Sequence, residues 1–407
     1  MRCGLLGEKL NHSYSPQIHH CFGTYTYEIF EKKTNELSDF LLKGNYDGLN
    51  VTIPYKKTVI PFCKELTVCA QKLGAVNTII KRKDGSLLGH NTDYFGFQHL
   101  LMRSGLQLRD KKVLVLGSGG ASVTVVAVLQ QCGAYPVVIS RTGKNNYQNL
   151  HLHKDAAAII NTTPVGMYPN TGVSPISLDI FTSLEGVLDL IYNPARSKLL
   201  LDAESRGLIA MNGLWMLVAQ AKESAEMFSG VHLSDEILQS TYYAIRAQME
   251  NIVLIGMPGC GKTTIGLPLS RITGKSYIDS DYIIEQRAGK TIPEIFSEYG
   301  VDYFRSLESA VLAELGKQSG LVIATGGGCV LRSENYQHLH QNGRIIWLER
   351  DINQLPIDGR PISQVTPLSK LYELRKPYYE YFADHVIQNI AAPDEIAREI
   401  AGLEVSS

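Results

Sequence analysis

Two short glycine-rich stretches in this chain have the residue types to hold phosphate. One is GMPGCGKT, Gly256–Thr263, directly after the apolar run NIVLI. It fits G-x-x-x-x-G-K-[ST] in full: backbone N–H groups can cradle phosphate, Lys262 can reach the β and γ oxygens, and the Thr263 hydroxyl can meet Mg²⁺. Gly259, Cys260, Gly261 and Thr264 complete the expected nucleotide contact. The other is GSGGAS, Gly117–Ser122, between KVLVL and an Ala/Val-rich segment. There Gly117, Ser118, Gly119, Gly120 and Ala121 let the backbone approach a pyrophosphate at a helix start. The loops differ in type: the former predicts a nucleoside triphosphate, whereas the latter by itself suits either a dinucleotide or an ordinary glycine turn between strand and helix.

The residues after each loop narrow the chemistry. An NAD site places Asp or Glu at the end of the next strand, against the ribose 2′-hydroxyl. VVISRTGK carries Ser140, Arg141, Thr142 and Lys144 there instead. A carboxylate would repel a 2′-phosphate, whereas Arg141 and Lys144 attract one and Thr142 can donate a hydrogen bond to it. NADP(H) is therefore favoured over NAD. Behind the other loop, Asp279 and Asp281 stand two apart at a strand end, a spacing that turns both carboxylates to one side. One can serve a metal and the other an acceptor hydroxyl. Arg305 and Glu308 have helical i, i+3 spacing, which also suits a surface ion pair. Gly326–Gly328 offers a backbone surface to a small ligand, and Arg360 and Arg375 add cations.

Ahead of both loops, NHSYSPQIH sets Ser13 and Ser15 two apart, so an extended segment would turn both hydroxyls to one anion. Thr52, Lys56, Asn77 and Asp93 lie where apolar runs give way to polar loops, the usual place for ligand groups. Turn and capping roles compete at each of them.

The elements that must position these groups alternate between short apolar runs and longer helical patterns, which predicts an α/β protein. YDGLNVTIPYK reads as a strand ending in a polar loop, and GAVNTIIKRKDGSLLGHNTD as a hairpin turning at Asp84-Gly85. KVLVLG and YPVVIS flank a helix over 121–132, AAIINTTP and EGVLDLIYNP supply later strands, and helical sequence covers 214–249. NIVLIG then starts a fresh βαβ pattern, so a boundary is expected at 247–250.

A chain of 407 residues with 44% apolar content can build several cores, and a net charge of −1 gives no basic field for nucleic acid. Seven cysteines without C-x-x-C or zinc spacing predict buried free thiols in a reducing cytosol. The N-terminus lacks the apolar core of a signal peptide, and no run approaches the length of a membrane span. The expectation is a soluble, cytoplasmic protein with no membrane, nucleic-acid or obligate protein partner.

Together HSYSP, NVTIPYK, GAVNT, GHNTD, GSGGAS, SRT, NTTPVGM, DLIYNP and NGLWMLVAQ resemble shikimate dehydrogenase, in order across about residues 1–245. The resemblance implies NADPH-dependent reduction of 3-dehydroshikimate to shikimate. It implies a discontinuous substrate domain, 1–102 with 213–247, beside an NADP-binding Rossmann domain, 103–212. By position it makes Lys56 and Asp93 the catalytic pair and gives the substrate carboxylate to Ser13 and Ser15. Thr52, Asn77, Tyr192 and Gln220 complete the pocket, and Leu190 and Gly213 meet the nicotinamide end. The chain departs from the family pattern at Val123, at Ser140 and in a short segment between Thr142 and Ala158.

Residues 251–390 resemble shikimate kinase through the aspartate pair, GKTIPEIFSEYGVDYFRSLE, the triple glycine, the Arg-Pro of a lid and RKPYY. This implies a P-loop domain over 250–407, related to nucleoside monophosphate kinases with a parallel sheet. It also implies phosphoryl transfer from ATP to the 3-hydroxyl of shikimate. Asp281 then binds and activates that hydroxyl, Arg305 and Arg375 clamp the carboxylate, and Gly327 adds a backbone contact. Arg360 closes over the phosphates, and Thr263 and Asp279 serve Mg²⁺. The lid between Glu349 and Ser363 is short, and Val301 stands where an acidic residue is common. Read together, the halves predict a bifunctional enzyme catalysing consecutive steps. The rival readings are an NAD-using quinate/shikimate dehydrogenase fused to a kinase, and a catalytically silent ligand sensor.

Overall fold

The computed structural model describes residues 1–10, 13–23, 25–355 and 367–403, and holds three β-sheets among them. The first has strands β1 (Arg2–Gly7), β2 (Thr26–Glu31), β3 (Gly48–Val51), β4 (Glu65–Leu66), β5 (Thr78–Lys81) and β6 (Leu87–His90), in the order β2-β1-β3-β5-β6-β4. β1 runs parallel to β2 and β3, while β5 is antiparallel to β3 and β6. The β5–β6 hairpin turns at Asp84-Gly85 as expected: Gly85 adopts φ +80°, and Asp84 Oδ1 accepts from the Ser86 amide at 3.0 Å.

The second sheet is all parallel: β7 (Lys112–Leu116), β8 (Tyr135–Ile139), β9 (Ala158–Asn161), β10 (Gly186–Asp189) and β11 (Ile209–Asn212), ordered β11-β10-β9-β7-β8. Helix Gly120–Gln131 crosses from β7 to β8, but the return from β8 to β9 holds only a 3₁₀ turn, Leu150–His153. The short 142–158 segment therefore carries no α-helix, and β8 is left as an edge. Strand order reverses between β7 and β9, which opens a crevice at their carboxyl ends.

The third sheet is also parallel: β12 (Asn251–Ile255), β13 (Ser276–Asp279), β14 (Leu321–Ala324), β15 (Gly343–Glu349) and β16 (His385–Gln388), ordered β13-β14-β12-β15-β16. β12 is central. Ile252, Val253, Leu254 and Ile255 are all fully buried, which is why this strand reads as an unbroken apolar run. Each such side chain contributes about 1.5–3 kcal/mol by leaving water.

The chain divides into two compact units. One comprises Met1–Val165, Ser174–Tyr192 and Leu199–Ile245 and holds the first two sheets; the other comprises Gly166–Val173, Asn193–Lys198 and Arg246–Ser407 and holds the third. The stretch expected to be helical over 214–249 is two helices, Leu214–Ser229 and Asp235–Met249, broken at Gly230 with φ +70°. The long continuous part of the second unit starts at Arg246, inside the latter helix. Its last turn is tied into that unit: Lys275 Nζ donates to the carbonyls of Ala247 and Glu250, the latter at 2.7 Å, and Glu250 pairs with Arg344 at 3.2 Å.

All seven cysteines are free thiols, but only Cys3, Cys260 and Cys329 are buried, against the expectation of a buried set. Among the described residues no helix is long and apolar enough to cross a membrane.

Candidate active sites

In the first unit, Lys56 sits on the turn after β3. Tyr55 anchors that turn through a hydroxyl bond to Lys32 O at 2.6 Å, and the Val76 amide donates to Lys56 O at 2.8 Å. Asp93 opens helix Asp93–Ser104, where Asn91 Oδ1 accepts from its amide at 3.1 Å. Lys56 Nζ donates to Asp93 Oδ2 at 2.5 Å, and Asn77 Nδ2 donates to Asp93 Oδ1 at 2.9 Å. Both carboxylate oxygens are thus held, and one holds the ammonium.

This pair lines a cavity of about 720 Å³, together with Ser13, Ser15, Thr52, Asn77, Ala121, Leu190, Tyr192, Gly213 and Gln220. Ser13 and Ser15 face it for a different reason from the one expected. Tyr14 is helical at φ −80°, ψ −4°, so the segment turns into helix Ser15–Phe22 and is not extended. Ser13 Oγ donates to Ser15 Oγ at 3.1 Å across that turn. Gly213 has to be glycine, because a Cβ there would stand 2.1 Å from Leu190 O.

Sequence reasoning missed the polar layer behind the cavity. Asn50 Nδ2 donates to Ser224 Oγ at 2.7 Å, and Thr92 Oγ1 lies 3.2 Å from Ser224 Oγ and 3.3 Å from Gln220 Oε1. The i, i+4 spacing of Gln220 and Ser224 was the available signal. Burial raises the Tyr192 phenol above its usual range, so it stays a hydrogen-bond donor at neutral pH.

Of the predicted nucleotide residues in this unit, Gly117, Ser118, Gly119, Gly120, Ser140, Arg141, Thr142 and Lys144 do not line the cavity. They follow β7 and β8 at the carboxyl ends of the strands. A side-chain atom at Gly119 or Gly120 would meet nothing within 4 Å, leaving an open cradle at the N-terminus of helix Gly120–Gln131 that fits a pyrophosphate. The 140–149 loop is braced internally: Ser140 Oγ donates to Thr142 O, Asn146 Nδ2 to Gly143 O at 3.0 Å, and Asn149 Nδ2 to Lys144 O at 2.8 Å. Arg141 and Lys144 are exposed and, among the described residues, make no ion pair. Their free cationic heads suit a phosphate.

In the second unit, the loop after β12 leads into helix Lys262–Thr273. Lys262 is 8% exposed and donates to Gly256 O at 2.9 Å and Met257 O at 3.0 Å. Asn389, just beyond β16, pins the loop by donating to Cys260 O at 2.6 Å. The Cys260 side chain is fully buried and does not line the cavity, so only its backbone remains for a nucleotide. Gly259, Gly261, Lys262, Thr263 and Thr264 line a second cavity of about 580 Å³ with Asp279, Asp281, Arg305, Gly327 and Arg375. Arg360 lies outside the described residues.

The aspartates meet by a helix cap, not by strand alternation. Asp279 ends β13 and caps helix Ser280–Ala288, its Oδ1 accepting from the Asp281 amide at 3.0 Å. Its Oδ2 lies 3.2 Å from Thr263 Oγ1. These oxygen donors beside a phosphate loop fit a hard cation that keeps water and phosphate ligands. Burial first, then the charges of Asp279 and Glu308, lift the Asp281 carboxyl to about 7, against the opposing pull of Lys262 and Arg305. Asp281 Oδ1 is sealed from solvent without a partner.

Arg305 and Glu308 form no surface pair. They are 7% and 0% exposed, 2.6 Å apart, on helix Ile292–Lys317 packed under the glycines. Burial still holds the Glu308 carboxyl above its usual range, against the Arg305 charge. Gly328 admits the guanidinium: a Cβ there would lie 2.1 Å from Arg305 Nη2. Gly327 O is already engaged, accepting from Arg375 Nη1 at 3.0 Å and the Tyr379 hydroxyl at 2.5 Å. Any ligand contact of Gly327 therefore falls to its N–H. Arg350, which sequence reasoning passed over, also lines this cavity.

Comparison with known proteins finds a match in each unit. Residues 5–79 match the family model "Shikimate dehydrogenase substrate binding domain", and residues 258–403 match "Shikimate kinase". A shikimate dehydrogenase (NADP(+)) of Clostridium beijerinckii is 34% identical over 260 residues, which cover 59% of this chain and 96% of that relative. The crystal structure of a chorismate mutase/shikimate 5-dehydrogenase fusion protein from Clostridium acetobutylicum superposes with a TM-score of 0.57 at 35% identity, covering 60% of this chain and 96% of that one. The shikimate 5-dehydrogenase of Thermus thermophilus, solved with NADP(H) and shikimate, superposes at 0.55 with 27% identity, covering 60% and 99%. The chain belongs to the shikimate dehydrogenase family and carries a shikimate kinase domain behind that region, so it joins two enzymes of aromatic biosynthesis.

Proposed function

We propose that the first unit reduces 3-dehydroshikimate to shikimate with NADPH, and that the second phosphorylates shikimate at its 3-hydroxyl with ATP and Mg²⁺. In the first reaction the nicotinamide supplies hydride to the carbonyl carbon. Lys56, oriented by Asp93, stabilises the negative charge growing on the carbonyl oxygen and delivers its proton there. Ser13 and Ser15 hold the substrate carboxylate, and the exposed Arg141 and Lys144 favour NADPH. In the second, the metal-bound nucleotide supplies the phosphoryl group. Asp281 accepts the hydroxyl proton as the acceptor oxygen bonds to phosphorus and the bond to the ADP oxygen breaks. Lys262 neutralises charge on the phosphates, while Arg305 and Arg375 hold the acceptor carboxylate. We assign this work to the cytoplasm, without nucleic-acid, membrane or obligate protein partners.

The observation that carries the reading is the composition of the second cavity. It gathers a phosphate-loop lysine, a carboxylate poised near neutrality and two arginines around a glycine surface. A small hydroxy-acid is the acceptor these groups select. The test is ADP release by the purified chain with shikimate, gluconate or AMP as acceptor, beside NADPH oxidation with 3-dehydroshikimate. Shikimate should be preferred by orders of magnitude. Equal turnover with AMP would overturn the acceptor assignment, and faster reduction with NADH would overturn the cofactor assignment.

A further inference from the structure

The cations of the second cavity are nearly all committed. Arg305 is paired with Glu308, Arg375 donates to Gly327 O, and Lys262 donates to the carbonyls of its own loop. Arg350 differs: among the described residues its guanidinium makes neither a hydrogen bond nor an ion pair. It follows directly after β15, and its Nε is buried without a partner, as is the Nε of Arg375. Its neighbouring carboxylates are engaged elsewhere. Glu349 accepts from the Tyr372 hydroxyl and from Gln388 Nε2, both at 2.5 Å, and Asp351 Oδ1 accepts from the Asn353 amide at 2.9 Å. A guanidinium held in a cavity without a carboxylate partner among the described residues suits an anion.

Strand order sets the side of the phosphate loop on which Arg350 stands. In β13-β14-β12-β15-β16, the acceptor groups Asp281 and Gly326–Gly328 follow β13 and β14, on one side of β12. Arg350 follows β15 on the opposite side. There the phosphate loop leaves β12 so close that a Cβ at Gly256 would stand 2.5 Å from Leu348 O, two residues before Arg350. We propose that Arg350 binds the γ-phosphate of the nucleoside triphosphate, as the cation that faces the transferring group from the β15 side of the loop. This deepens the kinase reading and rests on the nucleoside-triphosphate assignment of that loop, not on the identity of the acceptor.

The test uses the full chain carrying Arg350→Met or Arg350→Lys, with ADP and the non-hydrolysable triphosphate AMPPNP as probes in the presence of Mg²⁺. In Arg350→Met, AMPPNP affinity should fall about 10-fold or more while ADP affinity changes less than about threefold, the loss of one charge-assisted contact. Arg350→Lys should recover part of the difference, and an unchanged Tm shows that the variants fold. Equal losses for both nucleotides would place the side chain on the β-phosphate and overturn the proposal. Unchanged affinities would overturn it as well. Because no acceptor is present, failure of the wild-type chain to phosphorylate shikimate would count against the proposed function alone.

Discussion

Lys56 Nζ and Asp93 Oδ2 stand 2.5 Å apart, and the other Asp93 oxygen is held by Asn77 at 2.9 Å, so the ammonium is aimed by a carboxylate that cannot itself rotate. This pair should act as a unit. Lys56→Met should lower ketone reduction by about 10²–10⁴-fold, the usual worth of a positioned proton donor. Asp93→Asn should cost nearly as much, and the double variant little more than either single one. ATP-dependent phosphorylation of added shikimate should stay within about twofold in all three, since none of these residues lines the second cavity. Losses that simply multiply would mean the two groups work independently.

Arg141 is exposed on a loop whose polar atoms are occupied by one another. Its substitution should therefore change recognition without changing the fold. Arg141→Asp should lower kcat/KM for NADPH about 10- to 100-fold by replacing an attraction for the 2′-phosphate with a repulsion. The rate with NADH should move by less than about threefold, because that cofactor offers hydroxyls there. Equal losses with both cofactors would show that the loop reads something other than the phosphate.

The Asp281 carboxyl, lifted to about 7, gives a pH dependence with a definite sign. Only the ionised form can take the hydroxyl proton, so kinase kcat/KM should rise as pH increases through about 7 and then level off. For stability the direction is opposite. The folded state holds this proton at pH values where the unfolded chain has released it, so the contribution is complete at low pH and is lost as pH rises through about 7. Asp281→Asn removes that loss. Its Tm relative to the parent should be higher at about pH 8 than at about pH 5. A Tm difference independent of pH would show that the carboxyl is not held neutral.

Gly328 leaves room for the Arg305 guanidinium where a Cβ would lie 2.1 Å from Nη2. Gly328→Ala must displace Arg305 or the loop. With Arg305 the KM for shikimate should rise at least about 10-fold, while ADP affinity holds within about threefold. An unaltered KM would separate Arg305 from acceptor binding.

Much of this protein could be read from its residues because the signals are local. The phosphate loop is legible from Gly256, Gly261, Lys262 and Thr263, since a strand followed by those residues folds one way regardless of what surrounds it. The absence of an acidic residue after β8 is likewise a short-range fact, as is the Asp84-Gly85 turn. Other features depended on packing between segments distant in sequence. Ser13 and Ser15 meet through a helical turn at Tyr14, and Asp279 meets Asp281 through a helix cap, although alternation along an extended strand was the reading of their spacing. The i, i+3 pair Arg305–Glu308 has the same sequence whether it faces water or lies sealed beneath Gly328. Only the tertiary fold buried it, and only the tertiary fold buried Asp281 beside Asp279 and Glu308, which raises the Asp281 carboxyl. Arg350 had no motif at all: its place beside the phosphate loop follows from β15 pairing with β12, an arrangement fixed by how apolar strands order themselves in a sheet.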